Sequence, residues 1–378
     1  MIAFFLSMGY NRSMIYQALY RKYRPRTFEG IIGQDHITQT LANQVRAGKF
    51  VHAYLFCGSR GTGKTSTAKI FAHAINCTNN QNGSPCGKCE LCSNDTGDMD
   101  IVEIDAASNN RVDEIRDLKE SVKFAPLYGK YKIYIIDEVH MLTDSAYNAL
   151  LKTLEEPPAH VVFILATTEP HKLPATILSR CVRFDFNLVS VEKLTKHLEE
   201  IFEKEGIKSE PEATKVIAGA GEGSVRDTLS IADSVSAYCG NNITLEKVLE
   251  ILSLNDSQTY IDITNALFAK DLGACLEIIE KSYLAGKNMS VFTKDLSVHF
   301  RDLLVIKTCS EPNKILNLPK EIFEKYEAQA KELEAKDLMT AMKVFGGIES
   351  ELKYALSPKI LVETAIVSII AGEDLKKN

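Results

Sequence analysis

Residues 58–65 read Gly58, Ser59, Arg60, Gly61, Thr62, Gly63, Lys64 and Thr65, a G-x4-G-K-T pattern. It follows the apolar run Ala53–Cys57 and precedes a helical pattern, the context in which this loop wraps phosphates. The glycines let backbone N–H groups turn inward onto an anion, and a helix starting near Lys64 adds the positive end of its dipole. The Lys64 ammonium would reach the β- and γ-phosphates of ATP, and the Thr65 hydroxyl would hold Mg²⁺. The bland alternative is a glycine-rich turn arising by chance.

A second group lies downstream, where residues 133–140 read IYIIDEVH. An apolar strand there delivers Asp137 and Glu138 at its C-terminal end, where ligands bind in open α/β sheets. Asp137 would bind Mg²⁺, directly or through water, and Glu138 would polarise an attacking water. The alternative is an ordinary acidic pair capping a helix.

Four cysteines form a third group, C-x8-C-x2-C-x2-C, at Cys77, Cys86, Cys89 and Cys92. Four thiolates complete a tetrahedral Zn²⁺ shell, and the two-residue gaps let neighbouring sulfurs converge. Gly83, Pro85 and Gly87 supply the turns of such a knuckle. An iron–sulfur cluster or unligated thiols are the competing readings. A site with four protein ligands is closed, hence structural rather than catalytic.

The elements that must position these groups are legible as a pattern. From Ile31 to Asp185 short apolar strands alternate with helical segments, and the strand candidates are Ala53–Cys57, Ile101–Ile104, Ile133–Ile136 and Val161–Ala166. Near-continuous apolar strands suit a parallel sheet buried on both faces, and the alternation implies an α/β fold. After Asp185 the strands are expected to stop. Residues 188–254 read as helices broken at Gly206 and around Gly219–Gly223, and the pattern stays helical from about Asn255, including the charged segment Lys320–Lys336.

Length and composition agree. The chain has 378 residues, 45% hydrophobic, with a net charge of −6, which excludes a disordered or fibrous protein. No apolar run approaches the ~18 residues of a membrane helix, so no membrane partner is expected. Residues 1–187 carry 21 basic and 19 acidic side chains, whereas the remainder nets −8, so a surface for a polyanion belongs in the first half. Nine cysteines, an odd number, with no secretory signal argue against a disulfide framework. Residues 1–13 lack the pattern of a signal peptide, and Met14 reads as a second possible start.

The acidic pair also suits a DExH helicase, so the residues beyond it decide. Residues 150–181, LLKTLEEPPAHVVFILATTEPHKLPATILSRC, resemble the AAA+ clamp-loader ATPases. The four-cysteine module between phosphate loop and acidic pair narrows the resemblance to the gamma/tau subunits of bacterial DNA polymerase III. YRKYRPRTFEGIIGQ (20–34), EIDAAS (103–108) and GSVRDTLS (223–230) support it, and it covers about Tyr16 to Leu254 strongly.

The resemblance implies an AAA+ α/β ATPase domain with its zinc module over 1–187, a helical lid over 188–254 and a helical oligomerisation collar over 255–378. It implies that Thr168 is sensor 1 and Arg226 is sensor 2, reaching from the lid to the nucleotide. Arg180 would be an arginine finger serving the ATP of a neighbouring subunit. A surface salt bridge is the alternative for either arginine, and a plain strand-end hydroxyl for Thr168. Tyr20, Arg24 and Pro25 match the segment bordering the adenine pocket, with a structural N-terminal arm as the competing reading. Arg111 and Lys152 match places that contact the DNA backbone, with solvated surface charge as the alternative; Asn109 stands where relatives can carry a basic residue.

The implied role is the ATP-driven motor of a sliding-clamp loader in the bacterial cytoplasm, nucleoid-associated at replication forks. Its partners would be delta and delta-prime subunits, further copies of itself, the beta clamp and primed DNA. The delta-prime relative lacks a working phosphate loop, so intact Lys64, Thr65, Asp137 and Glu138 favour the motor. Relatives often carry a C-terminal extension that is not seen here. The rivals are a helicase, which needs a second α/β half, a scaffold with a dead site, and a zinc-dependent nucleic-acid binder.

Overall fold

The structure is a computed structural model, and it describes residues 16–80, 82–93, 99–108, 120–252, 257–316 and 318–372. The expectations that fall on residues 1–13, Met14, Asn109 and Arg111 lie outside the described residues. The chain divides into two compact units, Met1–Asn242 and Ile243–Asn378. The stretch 188–254 expected as a lid therefore straddles that division.

The first unit is built on five parallel strands: β1 (Ala53–Gly58), β2 (Ile101–Asp105), β3 (Lys132–Asp137), β4 (Val161–Thr167) and β5 (Val182–Phe186). Their order is β2–β3–β4–β1–β5. Four were expected from apolar runs. The fifth is a correction: β5 reads V-R-F-D-F, and Val182, Arg183 and Asp185 are exposed. It is an edge strand with one side open to solvent, so it alternates rather than running apolar. Strands do not wholly stop after Asp185 either, since Lys208–Ser209 and Asn242–Ile243 form two-residue strands.

Alternation along each central strand feeds two cores. Tyr54 and Phe56 of β1 point to one face, with Ile37 and Leu41 of helix α1 (Asp35–Ala47) and Phe71 of α2 (Lys64–Asn76). Ala53, Leu55 and Cys57 point to the other, with Leu150 and Leu154 of α3 (Asp144–Glu155). Three helices follow: α4 (Val191–Glu205), α5 (Pro211–Ala220) and α6 (Val225–Cys239). Gly206 ends α4 in the left-handed conformation at φ 68°, and Pro211 opens α5, where a fixed φ and a missing N–H carry no penalty.

The second unit is helical: α7 (Leu245–Ile251), α8 (Ser257–Phe268), α9 (Leu272–Leu284), α10 (Met289–Thr308), α11 (Lys320–Glu332), α12 (Ala335–Leu352) and α13 (Pro358–Ala371). Its core is threaded by α10, whose Phe292, Leu296, Phe300 and Leu303 are fully buried. Phe300 stacks on Phe345 of α12 at 5.7 Å between ring centroids. Truncating such a phenylalanine to alanine costs about 3–5 kcal/mol.

Candidate nucleotide site and cysteine cluster

Strand register brings the chemistry together. Cys57 of β1 pairs with Thr167 of β4, and Asp105 of β2 pairs with Asp137 of β3. Parallel pairing therefore sets Gly58, Asp105, Asp137 and Thr168 along the C-terminal edge of one sheet. A cleft of about 900 Å³ opens there, lined by Tyr20, Arg24 and Pro25, by Arg60 through Thr65, by Asp137 and Glu138, and by Arg226.

The loop at 58–65 requires its glycines. Gly58 has φ 147°, and a Cβ there would stand 2.5 Å from the Phe186 carbonyl. A Cβ on Gly61 would stand 1.9 Å from Ser224 Oγ. Gly61 is also where α6 meets the loop, because the Val225 N–H donates to the Gly61 carbonyl at 3.1 Å. That contact seats Arg226 in the cleft, with its guanidinium 5.3 Å from the centre of the Tyr20 ring.

Lys64 is only 5% exposed, and its ammonium donates to the carbonyls of Gly58 (2.8 Å) and Ser59 (2.9 Å). Burial pushes its pKa down, while the carboxylates of Glu138 and Asp137 oppose the push. Thr65 Oγ1 donates to Asp137 Oδ2 at 2.5 Å. Glu138 sits in the left-handed region at φ 47°, and its Oε2 accepts from Thr168 N (3.2 Å) and Thr168 Oγ1 (3.0 Å). A hydroxyl and a carboxylate of the kind that ligate Mg²⁺, a buried lysine and a second carboxylate thus face one space. The arrangement can hold a magnesium triphosphate and orient a water beside it.

Arg180 lies elsewhere. It does not line this cleft; it pairs with Glu155 at 2.7 Å and donates to the Thr176 carbonyl at 2.7 Å, with its side chain 31% exposed. Lys152 is exposed on the last turn of α3. The cleft also contains residues that sequence reasoning passed over. Glu103 and Asp105 line it from β2, and the sequence marks both only as part of the EIDAAS stretch. His197 of α4 lines it too, and burial pushes its pKa below the usual histidine value. A single histidine on a helix carries no local signal. Beside the cleft, His140 Nδ1 lies 3.0 Å from Thr167 Oγ1 of β4, a contact invisible before the β3–β4 register is known.

The cysteines gather apart from the cleft. The sulfurs of Cys77, Cys86, Cys89 and Cys92 all lie within 4.8 Å of one another, and Cys77 Sγ is 3.9 Å from Cys89 Sγ. A tetrahedron with 2.3 Å zinc–sulfur bonds has edges of about 3.8 Å, so the four thiols fit a zinc shell. Backbone N–H groups of Cys86 and Cys89 point at the Cys77 and Cys86 sulfurs at 3.4 and 3.2 Å. Burial pushes the Cys89 thiol up, but hydrogen bonds from Thr78, Cys92 and Cys86 hold it at about 6. Backbone hydrogen bonds from Lys88 and Cys89 lower Cys86, and burial raises Cys77 and Cys92.

Three family models match successive stretches of the chain. They are described as DNA polymerase III, delta subunit (33–190), DNA polymerase III clamp loader subunit, ATPase lid domain (193–241), and DNA polymerase III subunits gamma and tau domain III (243–378). The chain is 44% identical to DNA polymerase III subunit tau of Bacillus subtilis, over 94% of its own length and 63% of that protein. It is 43% identical to the tau subunit of Escherichia coli over 72% of its length, covering 43% of that protein. It is 34% identical to DNA polymerase III subunit gamma of Buchnera aphidicola, over 95% of its length and 100% of that protein. The chain thus spans less than two thirds of the tau subunits it matches, and all of this gamma subunit.

Proposed function

The chain belongs to the gamma/tau subunit family of bacterial DNA polymerase III, and from that premise we propose that it is the ATP-driven motor of the sliding-clamp loader. The observation that carries the reading is the convergence of Lys64, Thr65, Asp137, Glu138 and Arg226 on one cleft. In this reading residues 1–187 form the AAA+ ATPase domain, 188–254 the lid and 255–378 an oligomerisation collar. The likeness of 193–241 to an ATPase lid and of 243–378 to domain III of gamma and tau supports it.

The loop 58–65 binds the triphosphate, with Tyr20, Arg24 and Pro25 bordering the base. Lys64 leaves the Gly58 and Ser59 carbonyls for the β- and γ-phosphates. Thr65 and Asp137, already hydrogen-bonded to each other, hold Mg²⁺, which neutralises charge building on the phosphate oxygens. Glu138 takes a proton from the water that attacks the γ-phosphorus, with no covalent enzyme intermediate. Thr168 and Arg226 act as sensors: Thr168 restrains Glu138, and Arg226 carries the state of the γ-phosphate to α6. Arg180 reaches the ATP of a neighbouring subunit; its position outside its own cleft supports a role between subunits. Cys77, Cys86, Cys89 and Cys92 hold a structural Zn²⁺. Lys152 and Arg111 contact the duplex backbone without reading bases. The partners are delta, delta-prime, further copies of the chain, the beta clamp and primed DNA, in the bacterial cytoplasm at replication forks. Among the described residues no helix is long and apolar enough to cross a membrane.

Steady-state ATP hydrolysis tests the reading. The chain would be assembled with delta and delta-prime, with and without clamp and primed DNA, beside an Arg180→Ala control. Strong stimulation by clamp and DNA that the control loses is the expected result. Equal activity alone and assembled would overturn the finger between subunits.

A further inference from the structure

Glu138 is held by more than Thr168. It keeps a backbone conformation that a side chain other than glycine retains only when its surroundings impose it, and Tyr147 Oη anchors the turn by donating to the Val139 carbonyl at 2.7 Å. The His140 ring, only 6% exposed, stands beside it. Its Nδ1 is 3.3 Å from Glu138 Oε2 and 3.0 Å from Thr167 Oγ1, and its Nε2 is 3.1 Å from Glu169 Oε2. Glu169 is itself pinned: its N–H donates to Thr167 Oγ1 at 3.0 Å, and its carboxylate accepts from Lys172 Nζ at 2.9 Å. One imidazole therefore spans two carboxylates, one on the turn after β3 and one on the loop after β4.

An ionised carboxylate only accepts, so the nitrogen facing Glu169 carries a hydrogen. The other nitrogen then controls Glu138. With a hydrogen, Nδ1 donates to Glu138 Oε2; without one, it accepts from the Thr167 hydroxyl and its lone pair turns Glu138 away. Either way the ring, itself fixed by Glu169, sets where the Glu138 carboxylate can stand. We propose that His140 is a positioning residue for ATP hydrolysis, a ring fixed by Glu169 on the loop that continues toward Arg180 and setting where the Glu138 carboxylate stands. This inference rests on the ATPase reading given above.

The test uses the complete clamp-loader assembly with clamp and primed DNA. A displacement of about 1 Å at a general base costs on the order of 100-fold in rate, so His140→Gln should lower kcat about 10–100-fold. KM and the affinity for a fluorescent ATP analogue should stay within about twofold, because the phosphate loop is untouched. Glu169→Gln should lower kcat in the same direction, and the double variant should be no slower than the slower single one, since both changes break one tie. His140→Asn carries the same expectations should the glutamine variant not fold. A kcat within about twofold of the unaltered complex, a loss of nucleotide affinity as large as the loss of rate, or fully additive effects would each overturn the proposal. An unaltered complex without ATPase activity would instead overturn the functional reading beneath it.

Discussion

The Thr65 hydroxyl donates to Asp137 Oδ2 across 2.5 Å, joining two residues 72 positions apart. The bond preassembles a hydroxyl and a carboxylate at one point beside the phosphate loop. Thr65→Val removes the hydrogen bond and, on the assignment proposed above, one oxygen ligand of Mg²⁺. We expect this variant to need a higher Mg²⁺ concentration for half-maximal ATP hydrolysis. Lys64→Ala should weaken ATP binding itself by about 2–3 kcal/mol, roughly 30–150-fold. A Mg²⁺ titration and equilibrium nucleotide binding separate the two effects, and an unchanged Mg²⁺ requirement in Thr65→Val would sink the assignment.

Arg180 offers a contrast between stability and rate. Its pair with Glu155 is partly exposed, so its loss should cost under about 1 kcal/mol of stability. The same Arg180→Ala change should slow hydrolysis in the assembled complex by about 10³-fold or more. Thermal melting beside assembled-complex kinetics checks this. A large fall in melting temperature would mean that the arginine is structural.

The cysteine cluster predicts one zinc per chain by elemental analysis. Replacing Cys86 and Cys89 by serine should abolish that zinc and unfold the module locally, because binding free energy here is folding free energy. ATP binding should survive, since none of the four cysteines lines the cleft. Stoichiometric iron, or no metal at all, would redirect the reading.

Lys152 stands exposed at the end of α3. If it meets a phosphate, Lys152→Glu should weaken binding of primed DNA regardless of sequence. It should also reduce the dependence of log affinity on log salt by about 0.9. An unchanged slope would remove Lys152 from the DNA surface.

His299 makes the helical unit sensitive to acid. Burial pushes its pKa down to about 4, despite the hydrogen bond between its Nε2 and Gln329 Oε1 at 2.9 Å. The unfolded chain binds that proton near pH 6.5 and the folded chain only near 4, so the unfolded state gains as pH falls through this window. Up to about 3 kcal/mol of stability should be lost between pH 6.5 and 4. Asp302 works in the opposite sense, since burial raises its pKa. Urea unfolding of the full chain at several pH values should therefore be compared with His299→Gln, which should flatten the histidine's share. Equal pH dependence in both would show that His299 contributes none of it.

What could be read without a structure was what is local. The phosphate loop, the Asp137–Glu138 pair and the C-x2-C-x2-C run are contiguous, and each needs only a strand or turn beside it. The central strands were legible because a parallel strand buried on both faces must be apolar along its length. The edge strand Val182–Phe186 was missed because solvent on one side permits charges in it, although its alternation was there to be read. The two-residue gaps keep Cys86, Cys89 and Cys92 together, and the turns at Gly83 and Gly87 return the chain to Cys77.

Tertiary structure decided everything that depends on register. The pairing of β3 with β4, which sets Ile136 beside Leu165, brings Thr168 to Glu138 and His140 to Glu169. The contact of α6 with Gly61 seats Arg226 over Tyr20. The division of the chain at Asn242 is likewise a matter of which helices share a core. Residue types and spacing along a chain determine which groups can do chemistry. Which of them meet is set by non-local strand pairing and helix packing, whose partners lie tens to hundreds of residues away and leave no periodic trace in the sequence.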